Sequence, residues 1–339
     1  MRTAAAQAER GFVLPAVLVV VGVVALIFLV AITALDSLAA ETRRITDEVR
    51  FRQSALSLEA EAAWLAATHP LTPTAIAADA SAAGSGPPPA AVVLDGRAYA
   101  SGAPRGLLVS LQDEAGLINL DALDQDGMAR LFAALGNASA LRGRMADRLA
   151  DFMDPDDLKR LEGAEAPDYL HAGLAPPPDA PLRRTAQLFG LMGWRDAIDA
   201  GAWSGLRDAV TADPTTAVVN ANTAPPVALK VLFGLTDAQA AAAAARRGTV
   251  PFAGLEDLGR AAGLALVGDA ERVYTFPSGR FALKITDPSA GLVARSRIVL
   301  TPGDLERPVW FEERGVSVLP VEEKARFPKD APGFPLPPA

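Results

Sequence analysis

The sequence predicts an α+β protein with one long N-terminal helix, an antiparallel sheet, and a large all-helical domain inserted between the strands. Three observations predict it. Residues 12–35 carry no charged side chain. Strand-like segments fall into two groups, one before residue 121 and one after residue 267. Between them lie roughly 150 residues of helical character, a size typical of a domain in its own right.

The uncharged run from Phe12 to Leu35 is 24 residues long. As an α-helix it spans about 36 Å, enough to cross a hydrocarbon core of about 30 Å. A buried core helix is rarely apolar on every face for so long. A secretory signal peptide has an apolar region of about 7–15 residues that ends at a small-residue cleavage site; this run is longer and no such site follows. Pro15 falls in the first turn, where its missing N–H costs little. Past Asp36 the helical period continues. Ile45, Val49, Leu56 and Ala60 keep helical spacing, with Arg43, Arg44, Glu48, Arg52 and Glu59 between them, until Pro70 stops the pattern. The expectation is one helix over 12–69, membrane-spanning first and amphipathic later.

Composition narrows the function. Half of the residues are hydrophobic, which excludes a disordered chain. With 32 basic and 40 acidic residues the net charge is −8, which argues against a broad surface for nucleic acid. There is no cysteine, so disulfides, thiolate metal sites and thiol catalysis are excluded. Arg2 and Arg10 precede the apolar run while Arg43, Arg44 and Arg50 follow it, so basic residues do not decide its orientation.

Beyond the Ala-, Ser-, Gly- and Pro-rich stretch 70–89, Val92–Leu94 reads as a short strand. Gly106–Gln112 and Leu117–Leu120, joined by Asp113-Glu114-Ala115-Gly116, read as a hairpin. Helices are expected at Met128–Leu135, Ala138–Phe152, Arg183–Leu191, Trp203–Ala209, Pro225–Phe233 and Asp237–Arg247, punctuated by breaks such as Pro176-Pro177-Pro178. Arg280–Thr286 and Leu292–Leu300, with Asp287-Pro288-Ser289-Ala290-Gly291 between them, predict a second hairpin, and Val309–Val318 adds an edge strand. The Pro-rich segment 319–339 predicts a flexible tail.

Within the helical region, Leu117–Ala122 and Val218–Ala224 form a weak repeat in which Asn or Asp precedes a helix and is placed to cap it. The second copy, with Asp237–Arg247 and Phe252–Leu258, is similar to a helix-hairpin-helix unit. A membrane-anchored DNA-binding protein is therefore the alternative reading. Against it, Gly234-Leu235-Thr236 has one glycine where a phosphate-binding hairpin offers two, and the chain is acidic.

Residues 151–168 hold seven carboxylates: Asp151, Asp154, Asp156, Asp157, Glu162, Glu165 and Asp168. Such a cluster calls for a cation or for solvent to relieve its repulsion. As an EF-hand loop it would put Asp154, Asp156 and Glu165 at ligand positions, but Leu158 and Lys159 stand where an oxygen ligand and a glycine belong. An exposed acidic helix end partnered by Lys159 and Arg160 is the other reading. The only histidines, His69 and His171, have no partnering motif, and neither a Gly-x-Ser-x-Gly elbow nor a phosphate-binding loop is present, so no enzyme is expected.

Arg10-Gly11-Phe12, a short polar leader meeting the apolar run, resembles the type IV prepilin leader. Counting from Phe12, the fifth mature position is Ala16, where most pilins carry glutamate. The minor pseudopilin K of type II secretion characteristically lacks that glutamate. Asp113-Glu114-Ala115-Gly116 with Asn119, Asp151-Phe152-Met153-Asp154-Pro155-Asp156-Asp157, Gly163-Ala164-Glu165 with Tyr169, and Asn220-Ala221-Asn222-Thr223-Ala224 follow in that family's order. Phe152 stands where the family often has Trp. The chain thus resembles pseudopilin K over most of residues 11–300.

The resemblance implies a prepilin leader at 1–11, removed by prepilin peptidase between Gly11 and Phe12 so that Phe12 becomes an N-methylated terminus. It implies a pilin-like domain of residues 70–120 and 268–318, an inserted helical domain of residues 121–267, and single-pass anchoring in the bacterial inner membrane with the bulk periplasmic. It implies a place at the pseudopilus tip with the minor pseudopilins I and J, and no nucleic acid. It also implies calcium, with Asp151, Asp154, Asp156, Asp157, Glu165 and Asp168 as its ligands.

Overall fold

The computed structural model of the protein describes residues 13–77, 90–102, 106–214, 217–266, 270–320, 323, 327–328 and 330–335. Gly11 and Phe12 lie outside them, as does the expected domain boundary at 267/268. The chain divides into two compact units, Met1–Ser54 and Ala55–Ala339.

The first unit is helical throughout its described residues. It is the greater part of α1 (Val13–Thr68). Its most apolar 18-residue window has a mean hydropathy of 3.2 and none of it is buried, so the helix is long and apolar enough to cross a membrane. Farther on, Arg44 pairs with Glu41 and Arg52 with Glu48, both at 2.7 Å one turn apart. Exposed pairs of this kind each add only a few tenths of a kcal/mol to the helix.

The second unit opens with the last turns of α1, where Ala55, Leu58, Glu59, Ala62, Ala63 and Ala66 make a buried stripe at helical spacing. Four strands follow: β1 (Ala75–Ala77), β2 (Ala90–Val93), β3 (Tyr99–Ala100) and β4 (Leu108–Asp113). After β5 (Ile118–Asn119) come α2 (Gln125–Ala134), α3 (Ser139–Met153), α4 (Ala166–His171), α5 (Trp194–Ala197) and α6 (Ala200–Leu206). Two short strands, β6 (Val210–Thr211) and β7 (Val219–Asn220), precede α7 (Pro226–Phe233), α8 (Asp237–Arg247) and α9 (Leu255–Ala262). The chain closes with β8 (Val273–Tyr274), β9 (Arg280–Asp287), β10 (Leu292–Leu300) and β11 (Val309–Val318).

The main sheet has the order β11-β10-β9-β4-β3 and is antiparallel throughout. Along β9, Phe281, Leu283 and Ile285 are buried while the residues between them are less so, the period-2 pattern of a sheet with one face on the core. On β11 two residues, Glu313 and Arg314, stand opposite the single Ser296 of β10. Glu313 adopts φ +51°, so this is a bulge with its extra residue in the left-handed region. Arg314 meets Glu59 of α1 at 3.0 Å and lies over the Phe311 ring at 4.0 Å.

One hydrophobic core runs from Ile118 to Leu266. Leu131, Phe132, Met145, Leu149, Trp194, Leu229 and Leu258 are among its most buried members. Phe132, Trp194, Trp203 and Phe189 meet edge to face, with ring centroids 5.2–6.4 Å apart. Such pairs are worth about 0.5–1.5 kcal/mol each beyond their burial.

Three expectations are corrected. The 106–120 hairpin does not form: after β4 the chain makes a 3₁₀ turn over Glu114–Gly116, and β5 pairs in parallel with the distant β6. The turn-like Asp113-Glu114-Ala115-Gly116 is buried, so its polar groups need partners that a surface hairpin would have found in water. Arg183–Leu191 winds as a 3₁₀ helix over Thr185–Gly190 and not as an α-helix. The 319–339 segment is not loose at its described residues. Leu319, Glu323 and Phe334 are buried, the Phe334 ring meets Tyr99 edge-on at 6.3 Å, and Ala100 exchanges main-chain hydrogen bonds of 2.7 Å with Pro332 and Phe334.

Candidate functional site

Asp113, at the end of β4, joins the sheet to the helical region. Its buried carboxylate accepts from Asn220 (3.0 Å), Thr223 (2.9 Å), and both the main-chain N–H (2.9 Å) and hydroxyl (2.7 Å) of Ser278. Gly116 is required here, because a Cβ at this position would lie 2.6–2.9 Å from Thr223 and the Ala224 main chain. Glu114 beside it is held by Arg297 and by Arg280 at 3.1 Å. The Asp-Glu-Ala-Gly and Asn-Ala-Asn-Thr-Ala motifs therefore meet in space as a structural junction.

The acidic segment is organised by the end of α3. Asp151 is fully buried and accepts from the Arg160 main-chain N–H at 3.1 Å and its guanidinium at 2.7 Å. The same guanidinium reaches Asp154 at 2.5 Å. Gly163 passes so close that a Cβ there would sit 1.8 Å from an Asp151 oxygen. Glu165 precedes α4, and its main-chain N–H donates to Asp168 at 3.1 Å. Asp168 also takes Lys159 at 2.9 Å, which holds its carboxyl below the ordinary value.

Of the predicted ligands, Asp156 is exposed and accepts from the Leu158 N–H at 2.8 Å. Asp157 is exposed at the surface, and the nearby Glu162 pairs with Arg144 at 3.3 Å. Among the described residues, no three carboxylates or histidines are already gathered to hold a metal ion.

Unsatisfied oxygens remain. Both carboxylate oxygens of the buried Glu165, together with Asp154 Oδ1 and Asp179 Oδ1, are shut away from water with no hydrogen-bond donor among the described residues. Burial pushes the Glu165 carboxyl up to about 7, aided by Asp151, Asp154, Asp179 and Asp157. Such groups carry a heavy desolvation cost unless a cation or proton relieves it.

Asp179 was absent from the sequence prediction. Its signal was faint: an aspartate straight after Pro176-Pro177-Pro178, adopting φ +48°, a conformation Asp tolerates better than most residues. Behind the loop, Tyr169 is buried against Phe152 with centroids 6.1 Å apart, and its hydroxyl accepts from the Met192 N–H at 3.1 Å. Burial raises that phenol to about 12.

In the helix-hairpin-helix-like turn, Gly234 takes φ +68°, Leu235 is buried, and Thr236 and Gln239 form a capping box on α8. Of the cations beside it, Lys230 is paired to Asp237 at 2.6 Å and Arg130 donates to the Val231 carbonyl at 2.6 Å.

Residues 108–215 match the family model described as type II secretion system (T2SS), protein K. This stretch contains β4, the Asp113–Gly116 side of the junction and the whole acidic segment. No curated protein matches the sequence. Among solved structures, a chain of the GspK-GspI-GspJ complex from the type 2 secretion system of enterotoxigenic Escherichia coli is similar. It has a TM-score of 0.53 and 19% identity, covering 82% of this chain and 99% of that one. The resemblance to the type II secretion minor pseudopilin K is thereby borne out, by the family's own model over residues 108–215 and by an α+β fold shared over most of the chain.

Proposed function

We propose that the chain is a non-enzymatic subunit at the tip of the type II secretion pseudopilus, acting in protein export with the minor pseudopilins I and J. The observation that carries this reading is the match of residues 108–215 to type II secretion protein K. The similar solved chain comes from a GspK-GspI-GspJ complex, and the same pairing is inferred here. Residues 70–120 with 268–318 act as the pilin-like domain and 121–267 as the inserted helical one. Prepilin peptidase cuts after Gly11 and leaves an N-methylated Phe12. The apolar part of α1 holds the chain in the inner membrane with its bulk in the periplasm.

Cells lacking the chain are expected to retain their type II cargo, and a copy of the chain restores export. Undiminished export without it would contradict the proposal. The DNA-binding alternative expects a salt-sensitive shift of duplex DNA in a mobility assay, which the pseudopilus reading does not.

Calcium belongs to the same proposal. The residues fit a hard cation in one respect: Glu165, Asp154 and Asp179 present buried carboxylate oxygens with no donor among the described residues. Calcium takes about 6–8 oxygen ligands and supplies the charge these groups lack. Asp151 and Asp157 lie near enough to raise the Glu165 carboxyl and stand as further candidates. Because no three of them converge as they stand, calcium is expected to order these side chains as it binds.

A further inference from the structure

The charged pocket between the main sheet and the α6 segment is used by none of this. Lys284 on β9 and Arg295 on β10 are register partners, so they stand side by side on one face. Arg207 and Asp208, in the 3₁₀ turn after α6, face them. Asp208 takes Lys284 at 2.5 Å and Arg295 at 3.2 Å. One carboxylate thus stands among three cations. Burial and the nearby Arg295 lower the Arg207 guanidinium, a sign that the cations crowd one another.

The balancing charge comes from outside the sheet. Glu323, only 4% exposed, lies 2.9 Å from Lys284, 3.3 Å from Arg295 and 3.4 Å from Arg207, and it accepts from the Ser204 hydroxyl at 3.3 Å. Two further features point to a ligand site and not to a mere ion pair. The pocket measures about 550 Å³, far more than one carboxylate fills, and Phe327 and Pro328 line part of it. The Arg207 Nε is buried there, 3.7 Å from the Asp208 carboxylate and without a hydrogen-bond partner among the described residues, so it can still donate to a closer acceptor. Three cations around an apolar-walled cavity are costly to keep without an anion.

We propose that this pocket is a binding site for a glutamate-bearing peptide segment, and that Glu323 of the chain's own C-terminal segment is its resident ligand. Held in cis, that ligand sees an effective concentration of order mM, so it excludes weaker peptides in trans. A partner with an exposed glutamate next to apolar residues would be recognised by the same cations.

The test uses the full-length chain and a labelled peptide of its own residues 319–335. The Glu323→Gln chain is expected to bind the peptide about tenfold or more tighter than the wild-type chain does. Raising salt from low to about 0.5 M abolishes that binding, and so does adding Lys284→Ala or using a peptide with Gln in place of Glu323. A folded Glu323→Gln chain that binds no peptide, or binds both peptides alike, overturns the proposal. Should that variant fail to fold, a wild-type chain with a protease site inserted after Pro320 is folded first and then cut. The severed segment is expected to exchange with the labelled wild-type peptide and not with the Gln peptide. Absence of exchange, or equal exchange with both, also overturns it.

Discussion

Glu165 concentrates the chemistry of the acidic segment in one side chain. Without a cation its carboxyl stands at about 7 in the folded chain, against an ordinary value of 4.5. The native state then holds a proton that the unfolded state releases, so this contribution is fully present below about pH 4.5 and lost as pH rises through about 7. In chelator, the melting temperature is expected to fall across that window, and calcium should restore it at pH 7.5. Glu165→Gln should be at least as stable as the parent in chelator and gain nothing from calcium; thermal melts at two pH values check both. Gly163→Ala would drive a methyl into the Asp151 carboxylate and is expected to cost about 1–3 kcal/mol in denaturant unfolding. At the other end of the chain, a lone glutamate within a membrane span costs about 2.5–3.5 kcal/mol unless a partner relieves it. A tip subunit has no subunit above it to offer that partner. Ala16→Glu should therefore never improve export or lengthen the fibre, which secretion assays and electron microscopy would read.

Among the elements, the Asp113 junction ties β4, the segment before α7 and the segment before β9 through four hydrogen bonds to one buried carboxylate. Asp113→Ala is expected to destabilise the second unit by about 3 kcal/mol or more, since bonds to a charged group are each worth about 1.5–3 kcal/mol. Urea unfolding measures it, and a change under about 1 kcal/mol would mean the junction does not organise the fold. The same place shows what a sequence can reveal. β9 and β10 were legible because apolar residues alternate in them and turn residues separate them. α1 was legible because its apolar run and its helical period are both long. β5 was legible as a strand but with the wrong partner, and β7 was not legible at all, because such two-residue strands form only by parallel pairing with segments far along the chain. Asp113-Glu114-Ala115-Gly116 has turn composition, and only long-range burial makes it a junction. α4 hid behind Pro167, which suits the start of a helix but interrupts a pattern search. Asp179 escaped because the fold, not proximity in sequence, brings it near Glu165. The tail read as loose from its prolines, while the cations that receive Glu323 sit on strands far from it.

For the whole molecule, the account joins a membrane-length helix, a second unit matching type II secretion protein K over residues 108–215, and an acidic segment whose buried carboxylate oxygens have no hydrogen-bond partner among the described residues. Mass spectrometry of the mature chain is expected to find methylated Phe12 at the N-terminus; a chain still starting at Met1 would remove the prepilin reading. The most direct test of the central claim is co-expression of this chain with the minor pseudopilins I and J of the same system, followed by affinity capture and size exclusion in calcium. The account predicts one peak containing all three proteins. A folded chain that elutes alone while I and J elute together would contradict it.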